Sequence, residues 1–409
     1  MMRKRKKSGC LYALLALLTS MLVVCLGLMA CAFFIFQGED VKEQVMDQFA
    51  EKEKIPFQQI ENVQENIARK YYYEQLYQEE QTVYLEILQG IQENNAQIYV
   101  HSSDAKRTNL LFQYVLRDYP EIFWCDGTTT ATSYGGDEEY TVLEPVYLYD
   151  AEERDERQGQ IDAASAECLA GIKADASDYE KILYVYEYIV DTVEYDLDAE
   201  DNQNICSVFV GRRSVCAGYS KATQYLLEQM GIFCTYVTGK TESGQSHAWN
   251  LVLCGGDYYY VDTTWGDPVF QEQEGEEVKK NLDYISYDYM CCDDEELLRT
   301  HIPDADLKLP ECTKMDCNYY VVNGMYYDHY DSGEAMAVMN NMISKKGSPV
   351  VFKFSNEDLY EEAHKDIFEN VIHEAAQSLA QMYGLSQVKY SYIDDKKLNK
   401  IVIYWEYEE

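Results

Sequence analysis

Residues 246 to 268 read SHAWNLVLCGGDYYYVDTTWGDP, and no other stretch limits the fold so tightly. WNLVL and YYYV are two apolar, strand-forming runs on either side of a Gly-Gly pair, the pattern of an antiparallel hairpin. Such a hairpin is not stable alone and needs further strands or a helix against its apolar face. It also brings a polar residue from each run, His247 and Asp262, to its open end. If the loop spans Cys254 to Asp257, Trp249 stands opposite Asp262 and His247 lies one diagonal away. If the chain turns at Cys254-Gly255, His247 faces Asp262 directly. Both loops put the two side chains on one face, because side chains alternate with period two, whereas a three-residue loop would part them. In either register the carboxylate can hold the imidazole in one tautomer and stabilise its charged form.

An imidazole–carboxylate pair acts through a nucleophile, and the best candidate lies 31 residues earlier. Cys216 directly precedes AGYSKATQYLLEQM, a helical pattern with Ala222, Tyr225, Leu226 and Met230 inward and Gly231 as its stop. A helix start favours a thiolate through its free N–H groups and dipole, and the same N–H groups can hold an oxyanion. Cys206 lacks this setting. His101, His301, His329, His364 and His373 are scattered through the chain in no paired motif.

The net charge of −38 excludes a nucleic-acid binder, which needs a basic footprint, and disfavours polyanionic partners. Hydrophobic content of 47% is that of a globular protein, so the acidity belongs to a solvated surface. Charge is unevenly placed. Arg3, Lys4, Arg5, Lys6 and Lys7 precede the 26 uncharged residues from Leu11 to Phe36, enough to cross a bilayer. The basic end is then cytoplasmic, and the rest of the chain extracytoplasmic. A cleavable signal has a shorter apolar core. AFFIF also follows Cys31 where the polar tether of a lipoprotein would begin, so an uncleaved single-pass membrane anchor is expected.

The remaining organisation is a basic tail at 1–10, the anchor at 11–36, a tether at 37–56 and a mixed region at 57–155. In that region helical character begins near Phe57, and Val83, Tyr84, Ile87, Leu88 and Ile91 share a helix face. The charged stretch AEERDERQGQ leads into helices at about 160–173 and 178–193; Ile182, Val185, Tyr186 and Ile189 form the stripe of the second. QEQEGEEVKK is a low-complexity loop, and Pro303 and Pro310 mark a boundary before a small α+β unit at 318–409. No cofactor or metal is expected. DLDAEDNQN lacks the central Gly and final Glu of a calcium loop, and Cys291, Cys292, Cys312 and Cys317 match no zinc pattern, although Cys312 and Cys317 could pair. Most of the thiols read as small buried hydrophobes.

RSVCAGYSKA, SHAWNLV and YYYVDTTWGDP together resemble the three motifs of the transglutaminase-like superfamily, in order and with short gaps. The resemblance covers about 165–312, and YDYMCCDDEELLRTH is similar to bacterial members of the group. It implies an α+β, papain-like core over about 160–312, in which the Cys-bearing helix packs on an antiparallel sheet. It also implies Cys216 as nucleophile, His247 as general base and acid, and Asp262 as the orienting carboxylate. Trp249 is expected to pack beneath the helix. The implied activity is attack on a carboxamide or peptide carbonyl to give a thioester, passed to water (peptidase or amidase) or to an amine (transglutaminase). Water is favoured, since no feature marks a tunnel that excludes it. The substrate would be a protein or cell-wall peptide. The alternative is a non-catalytic module that keeps the fold to bind a protein or wall partner.

Overall fold

The computed structural model of the chain describes residues 55–58, 60, 67–136, 138–267, 285–305 and 308–407, and Met21. The basic tail, the apolar run apart from Met21, the tether up to residue 54 and the QEQEGEEVKK loop lie outside these. Among the described residues no helix is long and apolar enough to cross a membrane. From Phe57 onward the chain forms one compact unit.

Its N-terminal part pairs α1 (Gln78–Gln92) and α2 (Ala105–Asp118) with strands β1 (Ile98–Val100), β2 (Cys125–Tyr134) and β3 (Tyr140–Tyr147), ordered β1-β3-β2. The predicted stripe of α1 is buried throughout. Gly90 is required within it, since a Cβ there would meet the Ile98 side chain at 2.6 Å. Near Phe57 the backbone is not helical, and the first turn recorded is the 3-10 turn Ile67–Arg69.

The charged AEERDERQGQ stretch is not a leader but the first half of a helix, α3 (Ala151–Gly171). The reason is the Asp150 cap, whose carboxylate accepts from the N–H groups of Glu152 and Glu153, both at 3.0 Å. A helix lying on the surface buries only one stripe, here Ile161, Ser165 and Cys168. α4 (Asp178–Thr192) begins at a Ser177/Glu180 capping box and buries Ile182, Val185, Tyr186 and Ile189.

The next helix, α5 (Cys216–Gln229), carries the candidate nucleophile as its first residue. It packs on a five-stranded antiparallel sheet of β4 (Cys234–Thr241), β5 (Ser246–Cys254), β6 (Asp257–Val261), β7 (Met290–Cys292) and β8 (His301–Pro303). The strand order is β8-β4-β5-β6-β7. Gly255 and Gly256 form the two-residue turn at φ +59° and +97°, with Cys254 opposite Asp257. The longer of the two predicted registers is therefore the one adopted, and Asn250 pairs with Val261. Trp249 is fully buried, but not beneath the helix. Val252, Cys254 and Val261 join the helix core, whereas Trp249, Val237 and Leu251 pack with Tyr260 and Tyr289 in a second core. Period-two alternation separates 249 from 252 and puts the indole on the far face.

The C-terminal part is a four-stranded sheet of β9 (Tyr326–Tyr327), β10 (Val350–Phe354), β11 (Lys389–Asp395) and β12 (Lys400–Glu406), ordered β9-β10-β12-β11. Helices α6 (Ser332–Ser344), α7 (Glu357–Asp366) and α8 (Ile372–Tyr383) cover one face. β12 is buried along almost its whole length because both faces are covered, which explains why KIVIYWE does not alternate. Cys312 and Cys317 are not partners: Cys317 Sγ lies 3.3 Å from Cys254 Sγ at the hairpin turn, while Cys312 joins the second core. Eight of the ten described thiols are buried and all are free.

Candidate active site

The three motifs meet because their other letters hold them together. Ser220 Oγ donates to the Ala248 carbonyl, and Asn250 Nδ2 donates to the Ser220 carbonyl, both at 2.9 Å. This pins α5 to β5 one turn past Cys216 and one residue past His247. Tyr219 OH donates to Asp267 Oδ2 at 2.6 Å, fastening the C-A-G-Y stretch to the W-G-D-P stretch. Gly218 lets the helix start seat closely. A Cβ there would lie 2.0 Å from Ser214 Oγ and 2.9 Å from Ser207 Oγ.

Cys216 is partly exposed at the first turn of α5. The N-cap is Val215, which makes no side-chain cap bond, and the first helical N–H to reach back to a carbonyl is that of Tyr219. The N–H groups of Cys216, Ala217 and Gly218 therefore have no intrahelical acceptor. An anion forming at this end is stabilised by them and by the helix dipole.

His247 is buried, and its Nε2 lies 2.7 Å from Asp262 Oδ2. Its side chain also hydrogen-bonds the Cys216 thiol, for which Nδ1 is the nitrogen left. Burial opposes charge on this ring, but Asp262 and then Cys216 outweigh it and raise its pKa to about 10. Burial likewise pushes the Asp262 carboxyl up, and His247 and then His301 more than reverse this, leaving it well below the usual carboxylate range. Asp262 Oδ1 is fixed by the N–H groups of Thr264 and Trp265 at 2.9 and 3.2 Å. All three predicted residues are thus in one line, Asp262 to His247 to Cys216.

A fourth residue was missed. His301 Nε2 lies 3.1 Å from the same Asp262 Oδ2, and its Nδ1 lies 2.8 Å from Thr300 Oγ1, which meets Tyr289 OH at 2.5 Å. Burial lowers the pKa of His301 and the charge of His247 adds to this, against the pull of Asp262. The neutral Nε2–H tautomer satisfies every partner. His247, Asp262 and His301 have the side-chain types of a metal site, and their ligand atoms lie within 4.8 Å of one another. The contacts are hydrogen bonds instead. Ligands around a tetrahedral ion at roughly 2.0–2.1 Å stand about 3.3 Å apart, whereas His247 and Asp262 are 2.7 Å apart in direct contact. The sequence signal for His301 was only its place in YDYMCCDDEELLRTH; its proximity arises from sheet order, with His301 opposite Thr241 and Gly239 opposite His247.

Residues 166–263 match the model of the transglutaminase-like superfamily. The kyphoscoliosis peptidase of Mus musculus is 27% identical over 159 residues, 34% of this chain and 24% of that protein. The Homo sapiens kyphoscoliosis peptidase is 28% identical over 106 residues, 22% of this chain and 16% of that one. This chain thus spans at most about a quarter of the length of these curated relatives. A crystal structure of a TGase aligns over 47% of this chain and 54% of its own at 13% identity and a TM-score of 0.25, a likeness too loose to bear on the site. With the motifs, the Cys-bearing helix and the antiparallel sheet in place, residues 166–263 belong to the transglutaminase-like superfamily.

Proposed function

We propose that the chain is a thiol-dependent acyl-transfer enzyme, held in a membrane by residues 11–36 with its folded part on the extracytoplasmic side. The observation that carries the reading is the line Asp262–His247–Cys216, ending on a partly exposed thiol at a helix start. The proton of the Cys216–His247 pair rests on His247 when the sulfur attacks an amide carbonyl carbon. The C=O π electrons move to oxygen, which the free N–H groups of the first turn receive. Collapse breaks the C–N bond, and the leaving amine takes the proton from His247. The product is a thioester on Cys216. Water that gives a proton to His247 then releases a carboxylic acid and restores the thiol; an amine in its place forms a new amide. Partial exposure of Cys216 favours water. A protein or cell-wall peptide is the expected substrate.

The test uses the full chain with a panel of peptide amides, scoring amine release and incorporation of an added labelled amine against Cys216→Ala. We expect Cys216-dependent release with little incorporation. If neither activity depends on Cys216, the fold serves as a binding module.

A further inference from the structure

Next to the nucleophile lies a cavity of about 240 Å³ built from three parts of the fold. Ala217 and Lys221, one helical turn apart, present the face of α5. Tyr236 on β4, Gln203 before the helix, and Arg117 at the end of α2 complete its wall. Ala217, on its wall, is the residue after Cys216 in the chain, and Tyr236, also on its wall, is near enough for the Cys216 thiol to add to the upward push of burial on its phenol.

Its two cations form no ion pair among the described residues. Among the described residues neither Arg117 nor Lys221 has a carboxylate within salt-bridge distance. Arg117 Nη1 is buried with no hydrogen-bond partner, and its guanidinium lies 5.4 and 5.7 Å from the rings of Tyr72 and Tyr114. Lys221 Nζ donates to the Gln203 carbonyl at 3.1 Å and stands 5.7 Å from the Tyr236 ring. Burial lowers the Lys221 pKa to about 8; the Cys125 thiol opposes this, and the charge of Arg117 adds to it. Two acids stand nearby. Asp126, on the cavity wall, accepts from the Thr128 N–H at 2.6 Å, and Asp304 accepts from Thr238 Oγ1, also on the wall, at 2.6 Å. Two partly buried cations that repel each other cost stability unless something anionic completes them. In a chain of net charge −38, two cations that pair with no acidic side chain among the described residues make a ready-made anion receptor.

We propose that this cavity is a subsite for a carboxylate of the acyl substrate, held by Arg117 and Lys221 beside the carbonyl that Cys216 attacks. The assignment rests on the reading of Cys216 as nucleophile. It makes the substrate class an acidic peptide, and it makes the N-terminal region, through Arg117, one wall of the specificity site.

The test alkylates Cys216 in the full chain with iodoacetyl-Glu-NH₂ and with its neutral isostere iodoacetyl-Gln-NH₂, the modified residue being read by peptide mapping. The Glu reagent should react about tenfold faster, equivalent to about 1.4 kcal/mol. Lys221→Gln and Arg117→Gln should each bring that ratio close to one. A wild-type ratio of one or less, or a ratio that survives both substitutions, overturns the subsite. His247→Ala separates the two readings. It should slow both reagents together, and an unchanged rate with the neutral reagent overturns the nucleophile whatever the ratio. Should one cavity variant fail to fold, the other decides.

Discussion

Asp262 at the end of the hairpin and Lys353 and Lys400 in the C-terminal sheet are all buried charges, but their surroundings differ in one respect. The two lysines stand directly opposite each other on β10 and β12, an arrangement that is unfavourable by itself. Each is met by an acid from the stretch before β8. Lys353 Nζ donates to Glu296, and Lys400 Nζ to Asp288. Further partners surround both pairs: Lys353 also donates to the Leu398 carbonyl, Glu296 meets Arg299, and Asp288 accepts from Ser286 Oγ. Around Asp262 the partners are as numerous, but one edge stays open, because His247 passes the chain of contacts to a partly exposed thiol. Burial of charge alone therefore does not mark a site. Termination on a nucleophile does.

Breaking each group separately tests this distinction. Cys216→Ala is expected to lower kcat/KM by about 10⁴-fold or more while changing stability by about 0.5 kcal/mol or less, read by kinetics and denaturant unfolding on the same samples. Lys353→Met should do the opposite. It leaves Glu296 buried with Arg299 alone, at a cost of about 3–5 kcal/mol in unfolding free energy, with the alkylation rate of Cys216 unchanged. Replacing both partners, Lys353→Met with Glu296→Leu, should recover most of that loss. Failure to recover would mean the pair does more than neutralise itself.

The hairpin end was legible because Gly255-Gly256 limits the register and the polar residues flank apolar runs. Cys216 was legible from a helix stop and stripe that set where the helix begins. What escaped depended on elements far apart in the chain. His301 reaches Asp262 only because β8 pairs with β4, and Arg117 reaches the cavity from a helix about 100 residues before Cys216. Neither distance leaves a periodic trace. Trp249 was placed on the wrong face for a different reason. An apolar residue beside a His is equally at home on both faces when, as here, both faces are packed. The start of α3 was missed because exposed charged helix and charged linker have one composition, and only the Asp150 cap separates them.

Within the open group the comparison sharpens on His301, a positioning residue that acts through Asp262. His301→Ala should reduce kcat about tenfold with little change in KM, an effect of the size seen when a ligand's outer partner is lost. His301→Gln, which keeps a donor near the Nε2 position, should restore most of it. A purely structural role would not distinguish the two variants at equal stability.

The smallest effect concerns the charge on His247. Its folded-state pKa is raised from 6.5 to about 10, chiefly against burial by Asp262. A raised pKa means that the native protein holds the proton more tightly than the unfolded chain does. The charged ring therefore stabilises the fold fully below about pH 6.5, and this contribution fades as pH rises through about 10. Comparison with His247→Gln cancels the shared titrating groups that do not touch His247. The difference in Tm between wild type and variant should be largest near pH 6 and should shrink steadily towards pH 10, by about 2–4 °C for each kcal/mol lost. A difference that stays flat across that window would mean the ring is neutral in the native state. His247 would then resemble His301, and the contrast between an open and a closed group of buried charges would rest on Cys216 alone.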